Sequence, residues 1–127
     1  MPNKTADELH RLVKDILLAV GASDENADRV AEGLVSSNLA GVETHGAWHL
    51  AGYVADVKDG YIAPAARPEI IAETPTTALV TGNWTFGFVA AKYAMELAIE
   101  KARKQNVAVV GIVRCTHIGR VGEYAEM

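Results

Sequence analysis

The sequence has little cysteine, no long apolar run, no surplus of positive charge and no glycine-rich nucleotide fingerprint. Each shortage removes a class of function. The single cysteine, Cys115, excludes an intrachain disulfide framework and fits a reducing compartment. No apolar stretch approaches the ~18 residues that cross a bilayer as a helix. The opening run Met1-Pro2-Asn3-Lys4-Thr5-Ala6-Asp7-Glu8 is polar and acidic, unlike a signal or transit peptide. A soluble cytoplasmic protein is therefore expected. Twelve basic residues against 16 acidic ones, well mixed and summing to a net charge of −4, leave no electrostatic footprint for nucleic acid or an anionic membrane. The basic residues from Lys101 to Lys104 read as the solvated end of a helix. Neither a Gly-x-Gly-x-x-Gly motif nor a Walker loop occurs.

What the chain does have is core material. Half of its 127 residues are hydrophobic, enough to fill the interior of one domain, or of one domain and a piece of another. Thr5 and Glu8 form a capping-box pattern. Leu9, Leu12, Val13, Ile16, Leu17 and Val20 then fall on one helical face, with Gly21 as a stop. Ser23 caps a second helix with a stripe of Ala27, Val30, Ala31, Leu34 and Val35, ending near Ala40-Gly41. A third helix is expected from about His45 to Asp59, with Trp48, Leu50, Tyr53, Val54 and Val57 apolar. After Gly60 the character changes. Pro64, Pro68 and Pro75 exclude regular helix, and Glu69–Glu73 and Ala78–Thr81 read as short strands around a turn at Thr74-Pro75-Thr76. Gly82-Asn83 marks another turn. Helical spacing returns from Phe86 or Gly87 to Lys104, with Val89, Ala90, Tyr93, Ala94, Leu97 and Ala98 on one side. Val107–Val113, apolar on both faces, reads as a strand deep in a sheet. The polar loop Arg114–Gly119 leaves it, in a position that favours functional groups. Gly122–Met127 begins a helix without a stop signal, and truncation is expected.

Four histidines are present, and His45, His49 and His117 are the chemically interesting ones. A helix would put His45 and His49 on one face. Three imidazoles suggest zinc, but His45-Gly46-Ala47-Trp48-His49 lacks the glutamate of a zinc protease motif, and no metal is expected. Cys115 and His117, two apart on a loop and with no third orienting group, make a poor nucleophilic pair. Gly82-Asn83-Trp84-Thr85-Phe86-Gly87 precedes a helix, and reads either as an anion cradle or as a simple turn and cap. The residues alone leave the chemistry open: separated imidazole sites on an α+β scaffold.

Four segments in order go further. Residues 38–53, Asn-Leu-Ala-Gly-Val-Glu-Thr-His-Gly-Ala-Trp-His-Leu-Ala-Gly-Tyr, resemble the Ser-His-Gly-x-x-Arg-x-x-x-Tyr segment of the malate/L-lactate dehydrogenase family that lacks a Rossmann fold. Tyr61-Ile62-Ala63-Pro64 is similar to the Gly-x-Ile-x-Pro that follows there, and Thr81–Ala102 to the family's glycine-bounded turn and long helix. Arg114-Cys115-Thr116-His117-Ile118-Gly119, with Gly122 and Tyr124, resembles its Arg-Asn-Ser-x-His-x-Gly-x-x-Gly-x-Tyr signature, one residue shorter before the histidine. The resemblance covers essentially the whole chain. The family includes malate, L-lactate, sulfolactate and ureidoglycolate dehydrogenases and cyclic-imine reductases.

The resemblance implies an NAD- or NADP-dependent oxidoreductase that interconverts a 2-hydroxy acid and a 2-oxo acid, a homodimer in the complete protein. His117 matches the family's catalytic acid/base, and an imidazole suits proton exchange near neutral pH. His45 matches a second histidine that lines the substrate site. Thr44 stands where serine is usual, and Tyr53 matches a tyrosine near the substrate. His49 replaces an arginine whose planar fork suits a substrate carboxylate. The implied fold is α+β. Residues 1–66 would form a helical substrate-side portion, and residues 67–127 the first part of a cofactor-binding domain on a mixed, mostly antiparallel sheet. Most cofactor-binding positions would lie beyond Met127. Two other readings stand beside this one: a non-catalytic truncated paralogue that partners a full-length subunit, and a metal-dependent hydrolase using the three histidines.

Overall fold

Local capping starts the fold where the sequence says it should. In a computed structural model describing residues 3–127, helix α1 (Ala6–Ala19) begins with both halves of the capping box, Thr5 N–H to Glu8 Oε2 at 2.8 Å and Glu8 N–H to Thr5 Oγ1 at 3.2 Å. Met1 and Pro2, at the head of the polar N-terminal run, lie outside the described residues. Ser23 caps helix α2 (Asp24–Leu39) through the Asn26 amide. All five expected residues of the α2 stripe are buried, and Ala27, Val30, Ala31 and Leu34 cluster with Val13 and Leu17 of α1. Leu12, expected on that face of α1, sits at its rim and is 43% exposed.

The third helix departs from expectation. Helix α3 spans only Leu50–Lys58, and two single 3₁₀ turns, Glu43–His45 and Ala47–His49, precede it. The break falls at Gly46, whose backbone is extended (φ −93°, ψ −153°). The tighter turns rotate Trp48 away from the core, where it is 82% exposed instead of packed. Tyr53 on α3 is buried as expected.

Strands β1 (Glu69–Glu73) and β2 (Thr77–Thr81) pair antiparallel, and β2 pairs parallel with β3 (Val109–Val113). The sheet is mixed, in the order β1-β2-β3. Helix α4 (Gly87–Gln105) makes the crossover between the parallel strands and ends at Asn106 in the left-handed conformation. It packs on β2 and β3, covering the face of Ala78 and Val80 with Ala90, Ala91 and Ala94. Tyr93, expected on the packed side of α4, lies at its edge and is exposed. Strand β3 is shorter than the sequence suggests and lies at one edge of the three strands described. Its apolar character on both faces meets helix on one side only, and Val109 is 67% exposed on the other. Lys101 also differs from the solvated end expected of it. Its ammonium donates to Glu73 Oε2 (2.7 Å) and the Thr74 carbonyl (2.8 Å), tying α4 to the β1–β2 hairpin.

The largest buried side chains are Phe86 and Phe88, at the start of α4. They join Val13, Leu17, Val30, Leu34, Tyr53 and Ile62 in one cluster, so the core draws on residues from both sides of position 66. Phe88 seats so closely on α2 that a Cβ at Gly33 would lie 2.4 Å from its ring. A short final helix, α5 (Gly122–Ala125), buries Tyr124, whose hydroxyl donates to the Ile118 carbonyl. Burial pushes the Tyr124 hydroxyl up to about 12, so it stays a donor. Arg29 of α2, buried beside Phe88 and Tyr124, reaches Glu123 of α5 at 2.8 Å. Among the described residues no helix is long and apolar enough to cross a membrane.

Candidate active site

Two interlocked turns place His117. The first, residues 82–87, puts Asn83 and Trp84 at positive φ (50° and 60°), a conformation that costs a non-glycine residue free energy and needs outside support. That support is dense. Gly82 N–H and Trp84 N–H donate to the carbonyls of Val113 and Arg114, both at 2.9 Å. Asn83 donates from Nδ2 to the Arg67 carbonyl at 2.8 Å. The second turn leaves β3 through Arg114, itself at φ 50°, and returns over the start of α4. Thr116 Oγ1 accepts the Gly87 amide (2.8 Å) and donates to the Thr85 carbonyl (3.2 Å). A Cβ at Gly87 would lie 2.1 Å from the His117 carbonyl oxygen. Glycine is required there for closeness, since only a bare backbone admits the loop.

Thr116 Oγ1 accepts the first amide of α4, which favours the turn-and-cap reading of residues 82–87.

The sequence-selected residues 44, 45, 49, 53 and 117 converge. The His117 ring centroid is 5.6 Å from that of His45 and 4.7 Å from that of His49, and the latter two are 6.1 Å apart. His49 also stacks on Tyr53 at 5.7 Å. His45 and His49 thus share a side as expected, though 3₁₀ turns and not an α-helix bring them there. Each of the two candidate proton carriers has Nδ1 tied to a hydroxyl. Tyr53 Oη lies 2.8 Å from His117 Nδ1, and Thr44 Oγ1 lies 3.1 Å from His45 Nδ1. A hydroxyl can accept Nδ1–H or donate to a bare Nδ1. In the first case Nε2 is left with its lone pair, ready to take a proton.

The electrostatics differ from ring to ring. Partial burial and then the neighbouring His49 and His45 lower the pKa of His117 below the ordinary imidazole value. No carboxylate is among the groups that shift it. Burial raises the Tyr53 phenol well above its usual range, so it remains protonated beside His117. Cys115 is half-buried, its thiol donates to the Thr116 carbonyl, and desolvation raises its pKa. That is the opposite of an activated thiolate. Among the described residues, no group of three or more His, Cys, Asp or Glu side chains is placed to hold a metal ion.

Two contacts of the site were not anticipated from sequence. Asn38 Oδ1 accepts the Ala47 amide at 2.9 Å, between the two site histidines, and Thr116 straps His117 to α4. Neither has a local signal beyond being a polar residue close to a glycine-containing turn.

The chain's similarity to known proteins agrees with this geometry. The family model described as malate/L-lactate dehydrogenase matches residues 5–127. The chain belongs to the malate/L-lactate dehydrogenase family. Among curated relatives, malate dehydrogenase from Pyrococcus abyssi is 40% identical over 121 residues, covering 95% of this chain and 33% of the relative. L-sulfolactate dehydrogenase from Methanothermobacter thermautotrophicus is 39% identical, with 95% and 36% covered. The crystal structure of malate dehydrogenase from Entamoeba histolytica superposes with a TM-score of 0.93 at 38% identity, covering 97% of this chain and 34% of that one. This member of the malate/L-lactate dehydrogenase family therefore spans about a third of the length of the relatives it matches.

Proposed function

We propose that this chain supplies the proton-exchanging side of an oxidoreductase that uses NAD or NADP to interconvert a 2-hydroxy acid and a 2-oxo acid. The observation that carries the reading is the Tyr53–His117 hydrogen bond, set within 6 Å of the His45 ring (centroids 5.6 Å apart). A nicotinamide, when bound, supplies or takes the hydride at the substrate carbon. His117 gives a proton to the substrate oxygen in reduction and takes it back in oxidation. The Tyr53 oxygen accepts Nδ1–H and so leaves Nε2 as the exchanging atom. Thr44 orients His45 in the same way, which makes His45 the second candidate for the proton. His49, beside both, faces the substrate carboxylate as an imidazolium when protonated.

The residues present fit the reacting end of the cofactor and not its phosphates. At the start of α4 the first amide is already taken by Thr116. A longer homodimeric protein in the cytoplasm, containing this chain, is the setting in which the site would work. The 127-residue chain alone, about a third of its relatives' length, is expected to show little or no turnover.

The test is to splice this chain into the Pyrococcus abyssi relative in place of the third it matches, then follow NADH and NADPH consumption with a panel of 2-oxo acids. Turnover that His117→Ala removes, with cofactor affinity retained, supports the reading. Undiminished turnover in His117→Ala rejects His117 as the acid/base.

A further inference from the structure

The turn that carries His45 and His49 has little to hold it. It consists of two single 3₁₀ turns, and neither has a side-chain cap. Its internal bonds are four backbone contacts, His45 N–H to Val42, Gly46 N–H to Glu43, His49 N–H to Gly46 and Leu50 N–H to Ala47. Runs of this kind are short and poorly hydrogen-bonded, yet two rings of the cluster hang from this one.

One side chain from a long, well-packed helix reaches into the gap. Asn38 stands next to the last residue of α2, but its side chain does not close the helix end. The exposed carbonyls there are met by backbone amides, Ala40 to Ser36, Gly41 to Asn38 and Val42 to Ser37. Instead the Asn38 carboxamide lies flat against Gly46. A Cβ built on Gly46 would fall 2.2 Å from Oδ1, 2.5 Å from Cγ and 2.7 Å from Nδ2. From there Oδ1 accepts the Ala47 amide at 2.9 Å. Gly46 has φ −93°, open to any residue, so its glycine serves this close approach and not an unusual backbone angle. Beside the Val42–Ser37 backbone bond and the packing of Ala47 on the core, Asn38 pins the junction between the two turns to α2, one residue after His45 and three before His49.

We infer that Asn38 is a positioning residue for the candidate site: with Gly46 it fixes the junction from which His45 and His49 approach His117. It touches neither substrate nor cofactor and acts through the turn. The meaning of this for turnover rests on the proposed function, but the geometry can be tested without turnover. A failure here and a failure of the dehydrogenase reading are therefore distinguishable.

The experiment uses the 127-residue chain labelled with nitrogen-15, and reads the histidine rings by NMR. Ring-to-ring nuclear Overhauser contacts between His117 and His45 or His49 report position, and the His117 titration midpoint reports how near the other two imidazoles stand. The Asn38→Ala chain is expected to keep its helical circular dichroism, lose or weaken those contacts, and raise the His117 midpoint as the neighbouring imidazoles withdraw. Asn38→Asp retains the acceptor on the same frame and is expected to restore the contacts. Gly46→Ala, which drives a methyl into the carboxamide, should reproduce the Asn38→Ala pattern. Unchanged contacts and midpoint in a folded Asn38→Ala chain would overturn the inference. Global unfolding of Asn38→Ala would overturn it too, because Asn38 would then support the fold at large and not the turn.

Discussion

Tyr53 and His117 stand 64 residues apart in the chain, yet the tyrosine hydroxyl lies 2.8 Å from the histidine Nδ1. The tyrosine comes from a buried face of α3, and the histidine from a loop strapped over the start of α4. Because the Tyr53 phenol is held neutral by burial, the contact is a hydrogen bond and not an ion pair. Its consequence is control of which imidazole nitrogen carries the proton.

Removing the hydroxyl should therefore separate placement from chemistry. In the spliced enzyme, Tyr53→Phe is expected to lower kcat about tenfold while leaving KM for the cofactor unchanged, as loss of a hydrogen bond of ~1.5 kcal/mol would. Nitrogen-15 spectra of the same variant should show the His117 tautomers redistributed. An unaltered tautomer population would remove Tyr53 from the mechanism.

The pH dependence follows from the lowered pKa of His117, caused first by desolvation and then by His49 and His45. Under the proposed function reduction needs His117 protonated, so its rate should fall as pH rises through a midpoint below that of a free imidazole. Oxidation needs the neutral ring and should persist to correspondingly lower pH. The stability linkage has the matching sign. A depressed folded-state pKa favours the folded state fully above the unfolded value of about 6.5, and that contribution is lost as pH falls through the folded value. His49→Ala should move both rate limbs upward. Limbs that stay in place would show that the ring-to-ring interaction is negligible.

His49 itself predicts a change in affinity. Arginine offers a permanent charge and a two-pronged contact to a carboxylate, whereas imidazole offers less of both at neutral pH. His49→Arg is expected to lower KM for a 2-oxo acid several-fold at pH 7 and to flatten its pH dependence. A KM that does not move would place the substrate carboxylate elsewhere.

The Arg29–Glu123 pair bears on stability. Arg29 is almost fully buried, and among the described residues its carboxylate neighbours are Glu123 at 2.8 Å and Glu32 at 3.3 Å. Its Nε and Glu123 Oε2 already lack hydrogen-bond partners. Glu123→Ala leaves a buried guanidinium with one weaker partner, and should cost about 3 kcal/mol in urea unfolding. The double change Arg29→Met with Glu123→Leu should recover most of that loss. Equal losses in the single and double variants would show that packing, not charge, dominates there.

How much of this was legible in the sequence depends on the range of the interactions. The starts of α1 and α2 were readable because Thr5, Glu8 and Ser23 act within three residues of themselves. The α2 stripe was readable because its period is that of the helix. The start of α3 was not, because helical spacing continues through Gly46 while the backbone breaks there to receive Asn38. At the site, the resemblance picked out residues 44, 45, 49, 53 and 117, and the structure brings all of them together. Asn38 and Thr116 escaped notice because what they hold is distant in sequence or carried by backbone atoms.

The crossover between β2 and β3 has a kinetic side. Helices α1 and α2, and the 3₁₀ turns after them that carry His45 and His49, can pack early, through contacts among residues close in the chain. His117 reaches them only after α4 has formed and β3 has added to β2 in parallel, the slowest class of pairing because its loop must close first. In a refolding experiment the histidine cluster would thus assemble late, and the His117–Tyr53 contact would time the completion of the sheet.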